Sequence, residues 1–194
     1  MNVASNIVLA VVCTAALIAT AIASPPTHKS TSAQPGHATI SPYAGQERRA
    51  VTSLSPDDVD ALLAGRGWGL AKPAELNGYP GPVHVFELVN DLKLTDAQRQ
   101  SVQAAFDRMK AKAVDLGVRY VAAERAIDDA FRSGMTAVEL SRRVVEAEKL
   151  RTALRLAHLG AHIEITPLLS PHQRLRYAQL RGYADDAAHD HGRH

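Results

Sequence analysis

Residues 94–136 read LTDAQRQSVQAAFDRMKAKAVDLGVRYVAAERAIDDAFRSGMT, and their pattern sets the architecture of the chain. Thr95 and Gln98 have the spacing of a capping box, in which each side chain accepts from the other residue's backbone N–H at a helix start. Apolar side chains then recur at alternating intervals of four and three residues: Val102, Phe106, Met109, Ala113, Leu116, Tyr120, Ala123 and Ile127. Such spacing forms one apolar face, so we predict a long helix over residues 96–132, with a bend at Gly117.

A second apolar face follows the break at residues 132–134. Its members are Leu140, Val144, Ala147, Leu150, Leu154, Ala157, Ala161 and Ile165. Thr136 and Glu139 repeat the capping-box spacing, which predicts a second helix over residues 137–165. Because the connection is short, we expect the two helices to form an antiparallel hairpin.

Shorter elements flank this hairpin. Ser55 followed by Pro56 marks a helix start, and we expect a short helix there that ends near residue 64. Glycines and prolines break residues 65–82, which we interpret as an ordered loop. Further short helices are expected over residues 83–92 and 171–183. No segment alternates like a strand, so the expected fold class is all-α.

Self-association is a further expectation, because two long helices with narrow apolar faces enclose little core. Burial of one large side chain stabilises by about 1.5–3 kcal/mol, so a second copy offers much additional stabilisation. We therefore predict a homodimer.

An export signal is expected at the start of the chain. Residues 7–23 form an uncharged apolar run that ends with Ala21 and Ala23, the spacing that signal peptidase favours. We interpret residues 1–23 as a signal peptide and the protein as periplasmic. The alternative is an uncleaved segment that anchors the protein in the inner membrane. Cys13, the single cysteine, lies within this segment, which excludes disulfides and thiolate chemistry from the remainder.

Three further parts follow the signal. Residues 24–53 are rich in Pro, Ser and Thr and poor in large apolar side chains, so we expect a disordered linker. Residues 54–186 are the expected helical domain. Residues 187–194 form a tail that contains histidines.

Several function classes find no support in the sequence. The formal net charge is only +2, too little for a strong attraction to nucleic acid. Zinc-protease and nucleophile-elbow motifs are absent from the sequence, and its adjacent carboxylates point to different sides of a helix. We therefore expect a binding protein that is not an enzyme and requires no cofactor.

One sequence motif occurs twice. Residues 94–98 read LTDAQ and residues 169–173 read LSPHQ, two copies of LTxxQ with Ser in place of Thr in the second. Two such copies around a helical hairpin, behind an export signal, resemble the Spy/CpxP family of periplasmic proteins. That family includes ATP-independent chaperones, an inhibitor of an envelope-stress sensor kinase, and CnrX-like and zinc-resistance-associated metal-responsive members. The resemblance covers about residues 82–183.

The resemblance implies a curved helical dimer that binds unfolded or envelope-stress client proteins through mixed basic and apolar contacts. The candidate basic contacts are Arg99, Arg108, Lys112, Arg119, Arg142, Arg143, Arg151 and Arg155. The alternative is that these cations only solvate the helix faces. Two features depart from the better-known members: the Gly-rich segment 65–82, and a count of only three methionines.

Histidines offer a second, metal-based function. His158 and His162 lie four residues apart on one face of the second long helix, a spacing that suits Zn, Ni, Co or Cu. Glu164 lies on another face and is a poor third ligand. His189, His191 and His194 in the tail are further candidate ligands. The alternatives are structural histidines, a solvated tail, and acid sensing by imidazoles that titrate near a pH of about 6.5.

Overall fold

The computed structural model describes residues 40–183, and every regular element in that range is helical. The α-helices are α1 (Pro56–Leu63), α2 (Lys72–Leu76), α3 (Pro82–Glu87), α4 (Asp96–Ser133), α5 (Ala137–Ile165) and α6 (Pro171–Leu180). Short 3₁₀ turns occur at Gln46–Arg48 and Thr166–Leu168. The expected all-α class is confirmed.

Some expectations concern parts of the chain outside the described residues. These are the signal segment 1–23, the linker up to residue 39, and the end of the chain from residue 184, which includes His189, His191 and His194. Across residues 40–183, no helix has both the length and the apolar character that crossing a membrane requires.

The two long helices pack against each other as the predicted hairpin, and both begin and end within one residue of the predicted bounds. Gly134, with a φ of 78°, ends α4 in the left-handed conformation that glycine adopts without strain. Thr136 caps α5 by accepting from the N–H of Glu139. The reciprocal half of that predicted capping box is not formed, because Glu139 instead pairs with Arg143 at 2.7 Å.

The α4 and α5 faces supply most of the core. Within them, the buried residues are Val102, Met109, Ala113, Leu116, Tyr120, Ala147, Leu150, Leu154, Ala161 and Ile165. The side chains of the two faces are less buried towards the hairpin tip, where Ile127 is only partly buried and Val144 is 41% exposed. The apolar periodicity therefore located the core at the base and middle of the hairpin, but not at its tip.

Gly117, where we predicted a bend, lies where α1 crosses α4. α4 continues as a helix through this position, and α1 crosses it so closely that a Cβ there would lie 2.1 Å from the carbonyl oxygen of Leu62. The glycine provides the space in which two helices approach backbone to backbone.

The folded part begins earlier than residue 54. Val51 is 1% exposed in the core, and the N–H of Thr52 donates to a carboxylate oxygen of Asp128 at 2.7 Å. Ser53 donates to Glu124 at 2.6 Å. Residues 51–53, assigned to the linker from their composition, are therefore attached to α4 by side-chain acceptors that their own composition does not reveal.

The Gly-rich segment 65–82 is ordered, as expected, and contains the unpredicted helix α2. Trp68 fixes the segment, because its indole N–H donates to Asp58 at 2.7 Å and its ring lies 5.9 Å from that of Tyr120. α3 ends at Glu87 rather than near residue 92. The residues that follow include Asn90 and Asp91, which favour turns over helices.

The two LTxxQ copies meet at the base of the hairpin. Thr95 and Ser170 form complete capping boxes with Gln98 and Gln173, respectively. Leu94 and Leu169, which open the two motifs, lie together in one apolar cluster. The repeat therefore joins the start of α4 to the start of α6.

Candidate functional site

His158 and His162 lie one helical turn apart on the buried face of α5. They are 5% and 7% exposed, and they are the two buried polar residues among those described. Both line a cavity of about 650 Å³. α5 alone places them together, as the four-residue spacing predicts.

His162 has one ring nitrogen fixed by the backbone. Its Nδ1 lies 2.7 Å from the carbonyl oxygen of Tyr79. Since a carbonyl oxygen can only accept, Nδ1 carries the proton, and in the neutral ring Nε2 presents a lone pair. The same arrangement orients the imidazoles of many metal-binding histidines.

Glu75 on α2 is the charged residue that the sequence analysis missed. One carboxylate oxygen, Oε1, accepts from the hydroxyl of Tyr177 at 2.5 Å and from Nε of Arg181 at 3.2 Å. The other, Oε2, is buried without a hydrogen-bond partner among the described residues and lies 3.9 Å from Nδ1 of His162. No motif marks this glutamate, because α2 lies in a segment that reads as a loop.

Gly81 keeps the space between Glu75 and His162 open. A Cβ at this position would lie 3.2 Å from Oε2 of Glu75 and 3.0 Å from Cε1 of His162. Its N–H also donates to the hydroxyl of Tyr177 at 3.3 Å. A side chain there would press on both polar groups, so glycine preserves their arrangement.

His158 is the least satisfied group of the site. Its Nε2 is buried without a partner among the described residues. Burial lowers the pKa of the His158 imidazole from its usual value of 6.5, and the neighbouring His162 lowers this pKa further. The neutral ring therefore presents an unpaired nitrogen, which is an energetically unfavourable state in a protein interior.

The five predicted metal ligands divide into two groups. The structure places His158 and His162 side by side, whereas the three tail histidines lie outside the described residues. Glu164 points elsewhere and pairs with Arg108. Between residues 40 and 183, no three His, Cys, Asp or Glu side chains form a group that could hold a metal ion.

A second candidate site is the outer face of α5, opposite its buried residues. Four exposed aliphatic side chains, which we call the outer stripe, lie along it: Val138, Val145, Leu156 and Ile163, between 50% and 82% exposed. Their spacings of seven and eleven residues differ from whole helical turns by only about 20°. The four side chains therefore point in nearly the same direction from α5, about 10 Å apart within each pair and about 16 Å apart between Val145 and Leu156.

Two basic side chains lie between members of this stripe. Arg142 and Lys149 lie on the same side of α5 and line a shallow groove together with Val138 and Val145. Of the eight candidate basic contacts, Arg108, Arg119, Arg143 and Arg151 form ion pairs with acidic neighbours. Arg99, Lys112, Arg142 and Arg155 form no ion pair with any described residue.

Comparisons with protein-family models, with curated proteins and with solved structures return no match for this chain. The likeness to the Spy/CpxP family therefore rests on the two LTxxQ copies and on the helical hairpin between them.

Proposed function

We propose that this protein is an exported, ATP-independent chaperone or envelope-stress adaptor that binds unfolded segments of other proteins on the outer stripe of α5. The observation that carries the proposal is the row of four exposed aliphatic side chains beside unpaired cations. Protein-binding surfaces combine exposed apolar area with polar and charged side chains.

The chemistry of the stripe suits unfolded polypeptides of many sequences. Burial of apolar area needs no directional partner and contributes about 25 cal/mol per Å², so any exposed aliphatic segment gains by contact. Arg142 and Lys149 add attraction for acidic segments and leave the interface partly hydrated. Binding of this kind is reversible and requires no nucleotide.

The resemblance to the Spy/CpxP family points the same way. Its chaperone members hold clients through mixed basic and apolar contacts, and the outer stripe combines both. The apolar run at residues 7–23 supports export, and with it a periplasmic location.

The test is suppression of aggregation. The full-length protein, without nucleotide, is expected to reduce light scattering by a chemically denatured client on dilution. Leu156→Asp with Ile163→Asp should abolish most of this effect without change in the unfolding midpoint. Val118→Asp with Leu175→Asp changes two exposed aliphatics elsewhere and serves as the control. Equal suppression by both variants would refute the stripe as the client site.

In the predicted homodimer, a second copy that bound the outer stripe would compete with clients. Val138 and Ile163 lie equally far from the middle of the stripe, as do Val145 and Leu156, so an antiparallel second copy would match each side chain with another. If copies bound each other there, client binding would weaken as the protein concentration rises. We expect self-association and client binding to use different surfaces, which predicts no such loss.

Metal binding is the second candidate function, as a periplasmic sensor or buffer. The observation that favours it is the unpartnered, buried Nε2 of His158 one helical turn from His162, whose ring the Tyr79 carbonyl orients. Imidazole nitrogens suit Zn²⁺, Co²⁺ or Ni²⁺. The tail histidines or a second chain would supply further ligands.

Calorimetric titration with Zn²⁺ tests this second candidate. Full-length protein is expected to bind about one ion per chain or per dimer, and His158→Ala with His162→Ala should remove the binding. His172→Ala, at an exposed histidine outside the cavity, is the control. Tight binding that survives in the double variant would assign the metal to other residues.

A further inference from the structure

The cavity between the Gly-rich segment and the two long helices has largely apolar walls. Its volume of about 650 Å³ lies in the range of small-molecule sites. The larger apolar side chains of the lining are Trp68, Leu76, Pro82, Val83, Phe106 and Met109. Leu76 and Val83 are 56% and 44% exposed, so part of this apolar surface faces solvent and is stabilised when a ligand covers it.

The buried polar atoms beside the cavity are not open to a ligand. Nε2 of His158 and Oε2 of Glu75 are both shielded from solvent. The other carboxylate oxygen of Glu75 is held by Tyr177 and Arg181. Apolar contact with the walls is therefore the main interaction that the interior offers.

The charged groups that a ligand meets lie where the cavity opens to solvent. Arg66, Lys72 and Lys110 line the cavity, are exposed, and form no ion pair with any described residue. Nζ of Lys110 lies 5.7 Å from the centre of the Phe106 ring, which places this charge beside the apolar wall. Glu75, the one acidic residue of the described lining, is already paired. The opening therefore attracts an anion.

The wall at the start of the Gly-rich segment is fixed in place. Gly65 has a φ of 64°, and a Cβ there would lie 2.9 Å from Cγ2 of Val114 and 3.3 Å from the carbonyl oxygen of Lys110, so the segment lies directly on α4. Trp68 is held at a φ of 44°, a left-handed conformation that is unfavourable for a bulky residue, while its indole donates to Asp58. A cavity with fixed walls needs little ordering when a ligand binds.

We propose that this cavity binds long-chain fatty acid anions, with the acyl chain against the apolar walls and the carboxylate among Arg66, Lys72 and Lys110. An acyl chain adapts to the cavity by rotation about its single bonds and needs no hydrogen bond inside it. The carboxylate stays at the hydrated opening, where the three cations balance its charge. No residue of the outer stripe lines this cavity, so fatty acid binding does not depend on client binding.

The experiment uses full-length protein in EDTA and three probes, each below its micelle-forming concentration: dodecanoate, decanoate and dodecylammonium. Trp68 is the single tryptophan of the chain, so its fluorescence reports on the cavity, and calorimetry gives the affinity. We expect one dodecanoate per chain and a saturable change in Trp68 fluorescence. Decanoate, which is two methylene groups shorter, should bind about tenfold more weakly. Dodecylammonium has the same chain and the opposite charge, and it should also bind about tenfold more weakly.

Two charge variants assign the opening. Arg66→Glu with Lys110→Glu should remove the preference for dodecanoate over dodecylammonium. Arg99→Glu with Lys112→Glu is the matched control, because these exposed residues of α4 also form no ion pair with any described residue and lie outside the cavity. It should keep the preference.

Two further variants assign the walls and separate the cavity from the outer stripe. Leu76→Ser with Val83→Ser should weaken dodecanoate and dodecylammonium alike. Leu156→Asp with Ile163→Asp should bind dodecanoate like the unmodified protein, because it changes only the stripe.

Four results would overturn the proposal. They are equal affinities for dodecanoate and dodecylammonium, equal affinities for dodecanoate and decanoate, an unchanged preference in Arg66→Glu with Lys110→Glu, and loss of dodecanoate binding in the outer-stripe variant. Binding that weakens as the protein concentration rises would also contradict it, because it would assign the opening to a second copy of the chain.

Discussion

The side-chain amides of Gln98 and Gln173 donate to each other, at 2.8 Å from Gln98 to Gln173 and 3.1 Å in return. Each amide also donates to a backbone carbonyl beside the other motif, Gln98 to Leu168 and Gln173 to Leu92. Their side-chain carbonyl oxygens accept from the backbone N–H groups of the N-cap residues, Thr95 and Ser170. Each LTxxQ glutamine is therefore both a helix cap and a connection between helices.

Loss of either glutamine should destabilise the base of the hairpin. Gln98→Ala leaves part-buried polar partners unsatisfied, which costs about 1–3 kcal/mol, whereas Gln100→Ala at an exposed site should change little. In a double-mutant cycle with Gln173→Ala, urea unfolding should give a coupling of about 1 kcal/mol. Additive losses would contradict the reciprocal pairing.

Two helical glycines should respond oppositely to alanine. Gly117→Ala places a methyl group against the Leu62 carbonyl, so one helix must move; we expect a loss of about 3 kcal/mol or more. Gly160→Ala meets nothing within 4 Å and should stabilise α5 by about 0.5–1 kcal/mol. Thermal unfolding of both variants gives the comparison, and a harmless Gly117→Ala would refute the close helix crossing.

Stability should decrease as the pH falls below about 7, in part through His158. Its folded-state pKa is depressed below 6.5 by burial, so the unfolded chain takes up the proton first. Stability is then full above the unfolded pKa and is lost as the pH falls towards the folded pKa. Urea unfolding between pH 8 and 5 should show a smaller loss for His158→Leu than for the unmodified protein. Parallel pH profiles would exclude this contribution of His158.

The contact between Thr52 and Asp128 should hold the start of the folded part in place. Asp128 accepts from both the N–H and the hydroxyl of Thr52, so Asp128→Ala should accelerate trypsin cleavage after Arg49. Asp129→Ala removes only an exposed pair with Arg132 and is the matched control. Equal cleavage rates in the two variants would show that other contacts hold this segment.

The long helices were predictable because helix caps and apolar spacing depend only on residues close together in the sequence. Thr95, Thr136 and Ser170 each cap the helix that follows, and Gly134 ends α4 as its position indicated. The helix crossing at Gly117 was not predictable, because a bend and a close crossing both favour glycine, and only the partner helix reveals the crossing. The order of residues 51–53 escaped prediction for a similar reason, since their partners lie more than 70 residues away on α4.

The sequence predicted the histidine pair of the cavity but not its glutamate. The four-residue spacing of His158 and His162 guarantees a shared face, and the structure confirms that they lie together. Glu75 joins them through the fold of the Gly-rich segment, where Tyr177 and Arg181 from the far end of the domain hold its carboxylate. Such long-range polar contacts leave no periodic pattern in the sequence.

Site-specific photo-crosslinking tests the client proposal most directly. Cys13 is the only cysteine, so in a Cys13→Ser background a benzophenone can be attached at Leu156→Cys on the stripe or at Ala104→Cys, an exposed position on α4. With an unfolding client present, we predict abundant adducts from position 156 and few from position 104. Equal adducts from both positions, or none from position 156 while aggregation is still suppressed, would contradict client binding on the outer stripe.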